Sequence, residues 1–181
     1  ENFVTERLLQ PFQTAGLRFK NRMVHAPTTM NMSDDRGYVT RKAVGAYEAL
    51  AAGGFGAVCV GATCVRWDGL INERMFGLYD DTYIISQREL VEVIHHNGAL
   101  AGIQLFYGGL IPGLGATFPL EPGKGWIPGT VSWGPSGKYP IGNQKPGVLT
   151  TEDDLQLVEA YAQAARRARE ERVFLEEPAD E

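Results

Sequence analysis

Three short apolar runs divide the first part of the chain. They lie at Met23–Ala26, Phe55–Cys64 and Ala99–Phe106. The second and third are apolar at nearly every position, which is typical of strands covered on both faces in a parallel sheet. Between the runs, apolar positions recur with helical spacing, which predicts helices over Thr40–Ala52 and Thr82–Asn97.

Further elements flank this pattern. Leu8–Asn21 reads as two short strands around Gly16, so we predict a hairpin. Thr150 precedes a cluster of acidic residues and an apolar stripe at spacings of three and four, which predicts a long helix. The order of hairpin, strand, helix, strand, helix, strand, loop and helix predicts an α/β fold with a parallel sheet.

The segment between the third apolar run and the last predicted helix shows neither helical nor strand periodicity. It spans residues 107–149 and is rich in glycine and proline. A segment of this length without regular structure is usually a lid or a binding loop. Trp126 and Trp133 either close over a ligand or only hold the segment in place. After the last helix we predict one short strand from Arg172, followed by an acidic tail.

Composition narrows the class of function. The 181 residues are 44% apolar and 22% charged, with a net charge of −5. This charge offers little to a phosphate backbone, so we expect no nucleic-acid partner. No apolar stretch approaches the ~20 residues that span a bilayer, so we expect no membrane partner. Cys59 and Cys64 lie in one apolar run, which favours buried thiols, a reducing compartment such as the cytoplasm, and no metal site.

The end of the first apolar run carries the first candidate site. Pro27 has no amide hydrogen and a fixed φ, so we predict that the strand ladder ends there. Thr28 and Thr29 then lie at the carboxyl end of the strand, where parallel α/β folds bind their ligands. The alternative is that Pro-Thr-Thr is ordinary turn chemistry.

Gln104 is the second candidate, because it is a single amide in the apolar run Ala99–Phe106. Burying an amide without partners costs about 1–3 kcal/mol, so we expect something to satisfy its donors and acceptor. Either the backbone of a neighbouring loop does so, or the amide recognises a planar, hydrogen-bonding ligand.

Several segments together resemble the old yellow enzyme family of FMN-dependent oxidoreductases. LLQPFQTAGLRFKNRMVHAPTTMN is similar to its entry hairpin and first barrel strand, and AYEALAAGGFGAVCVGATCV to its first helix and second strand. GLYDDTYIISQRELVEVIHHNGALAGIQLFYGG is similar to the second helix and third strand, and LTTEDDLQLVEAYAQAARRARE to the helix before the fourth strand. The likeness runs from about Leu8 to Glu170.

The resemblance implies a (β/α)₈ TIM barrel with FMN at its C-terminal mouth. Pro27 and Thr28 would line the isoalloxazine edge through backbone groups, and Thr29 would bring its hydroxyl near the flavin O4. Ala62 would lie beside the same edge, and Gln104 would bind the pyrimidine edge. The family takes hydride from NAD(P)H and passes it to a small-molecule substrate, an activated alkene.

The chain departs from the family where substrate is handled. The family usually reads Gln-Leu-x-His-Ala-Gly-Arg, whereas this chain has Tyr107 in place of the histidine and Leu110 in place of the arginine. We expect Tyr107 to face the substrate as a hydrogen-bond donor and Thr29 to tune the flavin, which makes these two the candidate catalytic residues. The family's His-, Asn- and Tyr-rich segment after the fourth strand has no counterpart, and the tail from Glu171 matches nothing expected.

A complete barrel needs eight strands and about 250 residues, with phosphate held by the loops after strands seven and eight. This chain supplies the first three to four βα units, so we expect a partial barrel without the phosphate-binding half. A complementary half-barrel chain or self-association would complete it. Alternatively, the chain is a flavin-free half-barrel that acts as a small-molecule-binding, cyclase-like or partner-subunit protein. We expect one truncated domain over residues 1–181, with the hairpin at 8–21, three βα units at 22–106, the long loop at 107–149, and a helix with an irregular tail at 150–181.

Overall fold

The computed structural model describes residues 3–72, 74–109, 118–121, 124–127, 133–135 and 147–170. Its helices are α1 (Phe3–Leu9), α2 (Arg41–Ala52), α3 (Tyr83–His96) and α4 (Thr151–Glu170). Its strands are β1 (Phe12–Thr14), β2 (Leu17–Phe19), β3 (Val24–Thr28), β4 (Ala57–Cys64), β5 (Phe76–Gly77), β6 (Leu100–Phe106), β7 (Phe118–Glu121), β8 (Lys124–Ile127), β9 (Trp133–Gly134) and β10 (Gly147–Val148).

A parallel sheet centred on β4 organises the molecule. β3 pairs with one edge of β4 and β6 with the other, and both pairings are parallel. β5 pairs with the carboxyl end of β4, at Thr63 and Cys64. β6 pairs with the opposite edge of β4 at the same two residues, so β5 lies along the edge of β4 that also carries β3. The fold class predicted from the apolar runs is confirmed.

The helices cover one face of this sheet. Side chains of α2, α3 and α4 pack with those of β4 and β6 in the helix-side cluster, which has at its centre Tyr47, Val58, Val60, Leu90, Ile94 and Ala101. We call the opposite face of the sheet the open face. It carries a smaller cluster of Ala62, Cys64 and Met75, against which Phe106 packs. His25 of β3 points to the helix side, where its ring contacts Phe55 of the helix-side cluster. Neighbouring strand residues point to opposite faces, so Val24 lies on the open face, and it is 49% exposed there. The open face is therefore only partly covered within the described chain.

Side-chain caps fix the starts of two helices. The Thr40 hydroxyl accepts from the Ala43 amide at 3.2 Å, so α2 begins where the sequence predicts. The Thr150 hydroxyl accepts from the Asp153 amide at 3.2 Å, while the Asp153 carboxylate accepts from the Thr150 amide at 2.8 Å. This reciprocal pair is a capping box with aspartate in the place of glutamate.

The predicted hairpin forms, but it is shorter than expected. β1 and β2 pair around Ala15 and Gly16, whose φ angles are +49° and +80°. Leu8 and Leu9, which were assigned to the first strand, lie in α1 instead. Pro11 accounts for the boundary, because the residue before a proline avoids helical geometry and so limits the helix.

The segment 107–149 was predicted to be structureless, and this is wrong in part. β7 and β8 pair antiparallel within it, and β9 pairs with β10 in parallel. The tail from Glu171, including the strand predicted at Arg172, lies outside the described residues. Among the helices of the described part, none is long and apolar enough to cross a membrane.

Candidate functional site

Pro27 does not end β3. The strand continues to Thr28, and its pairing with β4 shifts between His25 and Thr28. His25 lies opposite Val58 and Thr28 opposite Val60, so one extra residue is accommodated on β3. A proline cannot donate to the ladder, and such a bulge lets the strand pass it without losing the pairing beyond. The prediction that the ladder stops at Pro27 is therefore wrong.

A second bulge lies in β4, at the same level of the sheet. Val60 pairs with Ile103 and Thr63 with Leu105, so Gly61 and Ala62 together lie opposite the single residue Gln104. The extra residue changes which face the following side chains point to. Before it, Val58 and Val60 pack in the helix-side cluster; after it, Ala62 and Cys64 pack on the open face.

Gly61 brings the backbones of β3 and β4 unusually close. A Cβ on Gly61 would lie 2.0 Å from the Thr28 carbonyl oxygen and 3.0 Å from the Thr29 amide nitrogen. Only a residue without a side chain fits here unless the strands move apart. The close approach joins the end of β3 to the bulge of β4.

Gln104 is exposed, contrary to the expectation of a buried amide. It alternates with Leu105, which packs against the helix-side cluster, and shares the open face with Phe106. Since that face is open, the apolar neighbours of Gln104 do not bury it. Within the described part of the chain its amide makes no hydrogen bond, so its donors and acceptor are available to a ligand.

The predicted residues at the end of β3 are also accessible. Pro27, Thr28 and Thr29 are exposed. The Thr28 hydroxyl donates to the Ala26 carbonyl at 3.2 Å, whereas the Thr29 hydroxyl has no partner among the described residues. The pairing sets Thr28, Val60 and Ile103 in one row across the sheet, so Thr29, Ala62 and Gln104 follow in the next level toward the carboxyl ends.

Tyr107 lies elsewhere. It packs with the helix-side cluster, on the face opposite Gln104. Its ring lies against Gly69, where an added Cβ would be 2.2 Å from Tyr107 Cδ2. Its hydroxyl donates to Asp68 Oδ2 at 3.4 Å, and the Arg66 guanidinium sits 5.5 Å from the ring centroid. The expectation that Tyr107 faces a substrate beside Gln104 is not supported by this placement.

The partners of Tyr107 were not predicted from the sequence. Arg66 Nε donates to Asp68 Oδ1 at 2.6 Å, and a second nitrogen of the guanidinium binds the other carboxylate oxygen. The placement of Tyr107 could have been predicted from its position three residues after Gln104, because an odd separation along a strand places two side chains on opposite faces. Nothing in the polar loop after β4 singled out the Arg66–Asp68 pair.

The environment of Tyr107 keeps its phenol neutral. Burial raises the pKa of Tyr107, and the neighbouring Asp68 carboxylate raises this pKa further. Hydrogen bonding to Asp68 raises the pKa of Arg66 above its ordinary value. The three side chains therefore form a charged pair capped by a neutral hydroxyl, an arrangement that stabilises the loop after β4.

Both cysteines carry free thiols whose pKa is raised. Burial raises the pKa of the Cys64 thiol to about 12, and burial also raises the pKa of Cys59. A thiol that stays protonated is a poor nucleophile and a poor metal ligand. Over the described residues, no group of three or more His, Cys, Asp or Glu side chains is arranged to hold a metal ion.

Known proteins are similar to this chain in sequence and in fold. The model of the NADH:flavin oxidoreductase / NADH oxidase family matches residues 7–173. An NADPH dehydrogenase of Geobacillus thermodenitrificans is 32% identical over 163 residues, which make up 90% of this chain and 44% of that protein. The chain thus spans less than half the length of this relative.

Two solved structures have the same architecture. A 2-naphthoyl-CoA reductase in complex with 2-naphthoyl-CoA superposes with a TM-score of 0.79 at 24% identity, covering 92% of this chain and 26% of that one. Old yellow enzyme from Pichia sp. AKU4542 superposes with a TM-score of 0.75 at 20% identity, covering 91% of this chain and 43% of that one. At these identities the likeness concerns the fold: the described sheet corresponds to part of a larger structure.

Proposed function

Because the chain belongs to the NADH:flavin oxidoreductase / NADH oxidase family, we propose that it supplies the flavin-ring half of an FMN-dependent NAD(P)H oxidoreductase of the old yellow enzyme type. The observation that carries the proposal is the placement of Thr29, Ala62 and Gln104 at one level of the sheet, at the carboxyl ends of β3, β4 and β6. The family relationship suggests a small molecule with an activated double bond as substrate.

The residues present fit the edge of a flavin ring. A pyrimidine edge offers adjacent hydrogen-bond donors and acceptors, and Gln104 has an exposed amide with both. The exposed Thr29 hydroxyl adds a donor at the end of β3. Ala62 is 4% exposed and ends in a methyl group, so it would give a flat ring a small apolar neighbour.

The remaining roles follow from the same level of the sheet. We propose that Pro27 and Thr28 line the ring through their backbone, since Gly61 draws that backbone against β4. Thr29 would hold its hydroxyl toward a ring carbonyl and so tune the cofactor, while Gln104 would orient the ring. Bound FMN would supply the hydride chemistry, and the protein would supply orientation and hydrogen bonding.

The rest of the barrel is proposed to come from a complementary half-barrel. Within the described chain β6 pairs only with β4, and the open face leaves Val24 half exposed. Unpaired strand edges and exposed apolar side chains favour association. A second chain, or a second copy of this one, would pair with the free edge of β6 and cover the open face.

Replacing Gln104 tests the proposed function. We expect the Gln104→Leu variant to bind FMN roughly 10- to 100-fold more weakly than the wild-type chain, because two hydrogen bonds to the ring are lost. Quenching of flavin fluorescence during titration measures the affinity. The control is Gln156→Leu, an exposed glutamine on α4, which packs on the helix side of the sheet, and this change should leave the affinity unchanged.

The same titration separates the proposal from its main alternative. A wild-type chain that neither carries nor binds FMN would contradict the flavin assignment. Such a result would favour a flavin-free half-barrel, a reading to which the replacement of the family histidine by Tyr107 lends some support. Equal affinities for wild type and Gln104→Leu would instead remove Gln104 from the site.

A further inference from the structure

The bulge in β4 leaves Gly61 and Ala62 without a register partner in the sheet. Val60 and Thr63 pair in register with β6, and Gly61 and Ala62 lie between these two pairs, opposite Gln104. Gly61 is buried, and a buried backbone group without a hydrogen bond strongly disfavours the structure that contains it. The irregular pairing at the bulge allows side chains to bind the Gly61 amide and carbonyl.

Two side chains outside the candidate site do so. The Gly61 amide donates to the Tyr47 hydroxyl at 2.9 Å, in a buried hydrogen bond. The Gly61 carbonyl accepts from the Thr63 hydroxyl at 3.0 Å, also buried. Both backbone groups of Gly61 are thus hydrogen-bonded to side chains.

Tyr47 is well suited to hold this position. It lies in α2, is 0% exposed, and packs in the helix-side cluster, so its ring has little freedom to move. Burial raises the pKa of Tyr47, so its hydroxyl stays neutral. Its hydroxyl reaches from the helix layer to the sheet, at the level where the strands carry Thr29, Ala62 and Gln104.

We propose that Tyr47 is a positioning residue for the flavin edge. It holds Gly61 in the bulge, which turns Ala62 onto the face of Gln104 and keeps β3 against β4 at Thr28. Thr63 supports the same geometry from the carbonyl side. The ligand in this proposal rests on the proposed function, whereas the positioning of Ala62 and Gln104 does not depend on it.

A matched tyrosine separates this role from ordinary core packing. Tyr83 is 2% exposed, belongs to the same cluster, and its hydroxyl donates to the Arg36 carbonyl at 2.9 Å. Tyr47→Phe and Tyr83→Phe therefore each remove one hydroxyl that is hydrogen-bonded to the backbone. Only the first removes a bond to the bulge.

The test compares both variants with the wild-type chain by ¹H–¹⁵N NMR. In Tyr47→Phe we expect amide exchange at Gly61 to accelerate at least ~10-fold, since a protecting hydrogen bond is lost. We also expect the resonances of Ala62, Thr29 and the Gln104 side-chain amide to move, while in Tyr83→Phe they stay at their wild-type positions. Thr63→Val, which removes the other bond, should move the same resonances and provides a second route if Tyr47→Phe folds poorly.

Two results would overturn the positioning role. One is a Tyr47→Phe spectrum in which Ala62 and Gln104 keep their wild-type shifts, and the other is an equal displacement of both in Tyr83→Phe. Fluorescence titration with FMN tests the ligand separately: we expect Tyr47→Phe to bind roughly 5-fold more weakly than wild type, as loss of one supporting hydrogen bond implies. Absence of FMN binding in the wild type would remove the proposed function and leave the NMR comparison standing.

Discussion

At the scale of single residues, the shape of the candidate site depends on Gly61, which has no side chain. The carbonyl of Thr28 occupies the space in which a Cβ of Gly61 would lie, at 2.0 Å. That carbonyl is part of the backbone, so it has no rotamer that could relieve a clash. The close approach of β3 and β4 therefore depends on glycine at position 61.

Substituting this glycine should destabilise the fold. In Gly61→Ala, β3 and β4 must separate, and we expect the free energy of unfolding to fall by about 1–3 kcal/mol, as overpacking of a tight site does. Urea denaturation followed by circular dichroism measures the change. The control is Gly45→Ala in α2, where an added Cβ meets nothing within 4 Å and helix propensity predicts a gain of about 0.5–1 kcal/mol. A Gly61→Ala variant as stable as the wild type would show that the strands are not held together at this point.

The residue scale also shows how far the site was predictable. Gln104 was identified because an amide interrupts an apolar run, and Thr29 because it follows the first strand. The exposure of Gln104 was not predictable in this way, because its neighbours are apolar and the run reads as buried. Burial depends on what covers each face, and the open face of this sheet is covered by no described helix.

At the scale of elements, the long and regular ones followed the sequence closely, and the short ones did not. Helices α2, α3 and α4 and strands β4 and β6 carry enough apolar positions and caps to be identified. Strands of two to four residues, such as β9 and β10, contain too few positions to show a period. The bulges were also missed: a proline can end a strand or be passed by a bulge, and which occurs depends on the pairing with β4.

At the scale of the whole molecule, the sheet is one part of a larger architecture. The chain covers 44% of the Geobacillus NADPH dehydrogenase and 43% of the Pichia old yellow enzyme. Its helices complete one face of the sheet and leave the other available. We propose that this face meets both the cofactor ring and the complementary half-barrel.

This arrangement predicts self-association of the isolated chain. Without a complementary half, two copies should cover each other, so light scattering should give about twice the chain mass of 19.8 kDa. Val24→Lys would place a charge on the open face and should shift the population toward the monomer, since Val24 is 49% exposed there. The control substitution Ile85→Lys, at a residue that is 78% exposed on α3, should leave the mass unchanged. A monomeric wild-type chain at micromolar concentration would contradict the prediction.

The most direct test of the central claim is an NMR titration of the chain with riboflavin, which carries the isoalloxazine ring without the phosphate. If the carboxyl ends of β3, β4 and β6 hold the ring, the resonances of Thr29, Ala62 and the Gln104 side-chain amide will shift together and report one affinity. FMN will shift the same resonances. If these resonances do not respond, or the responding residues lie on α4 or in the hairpin, the flavin site is not at this edge of the sheet.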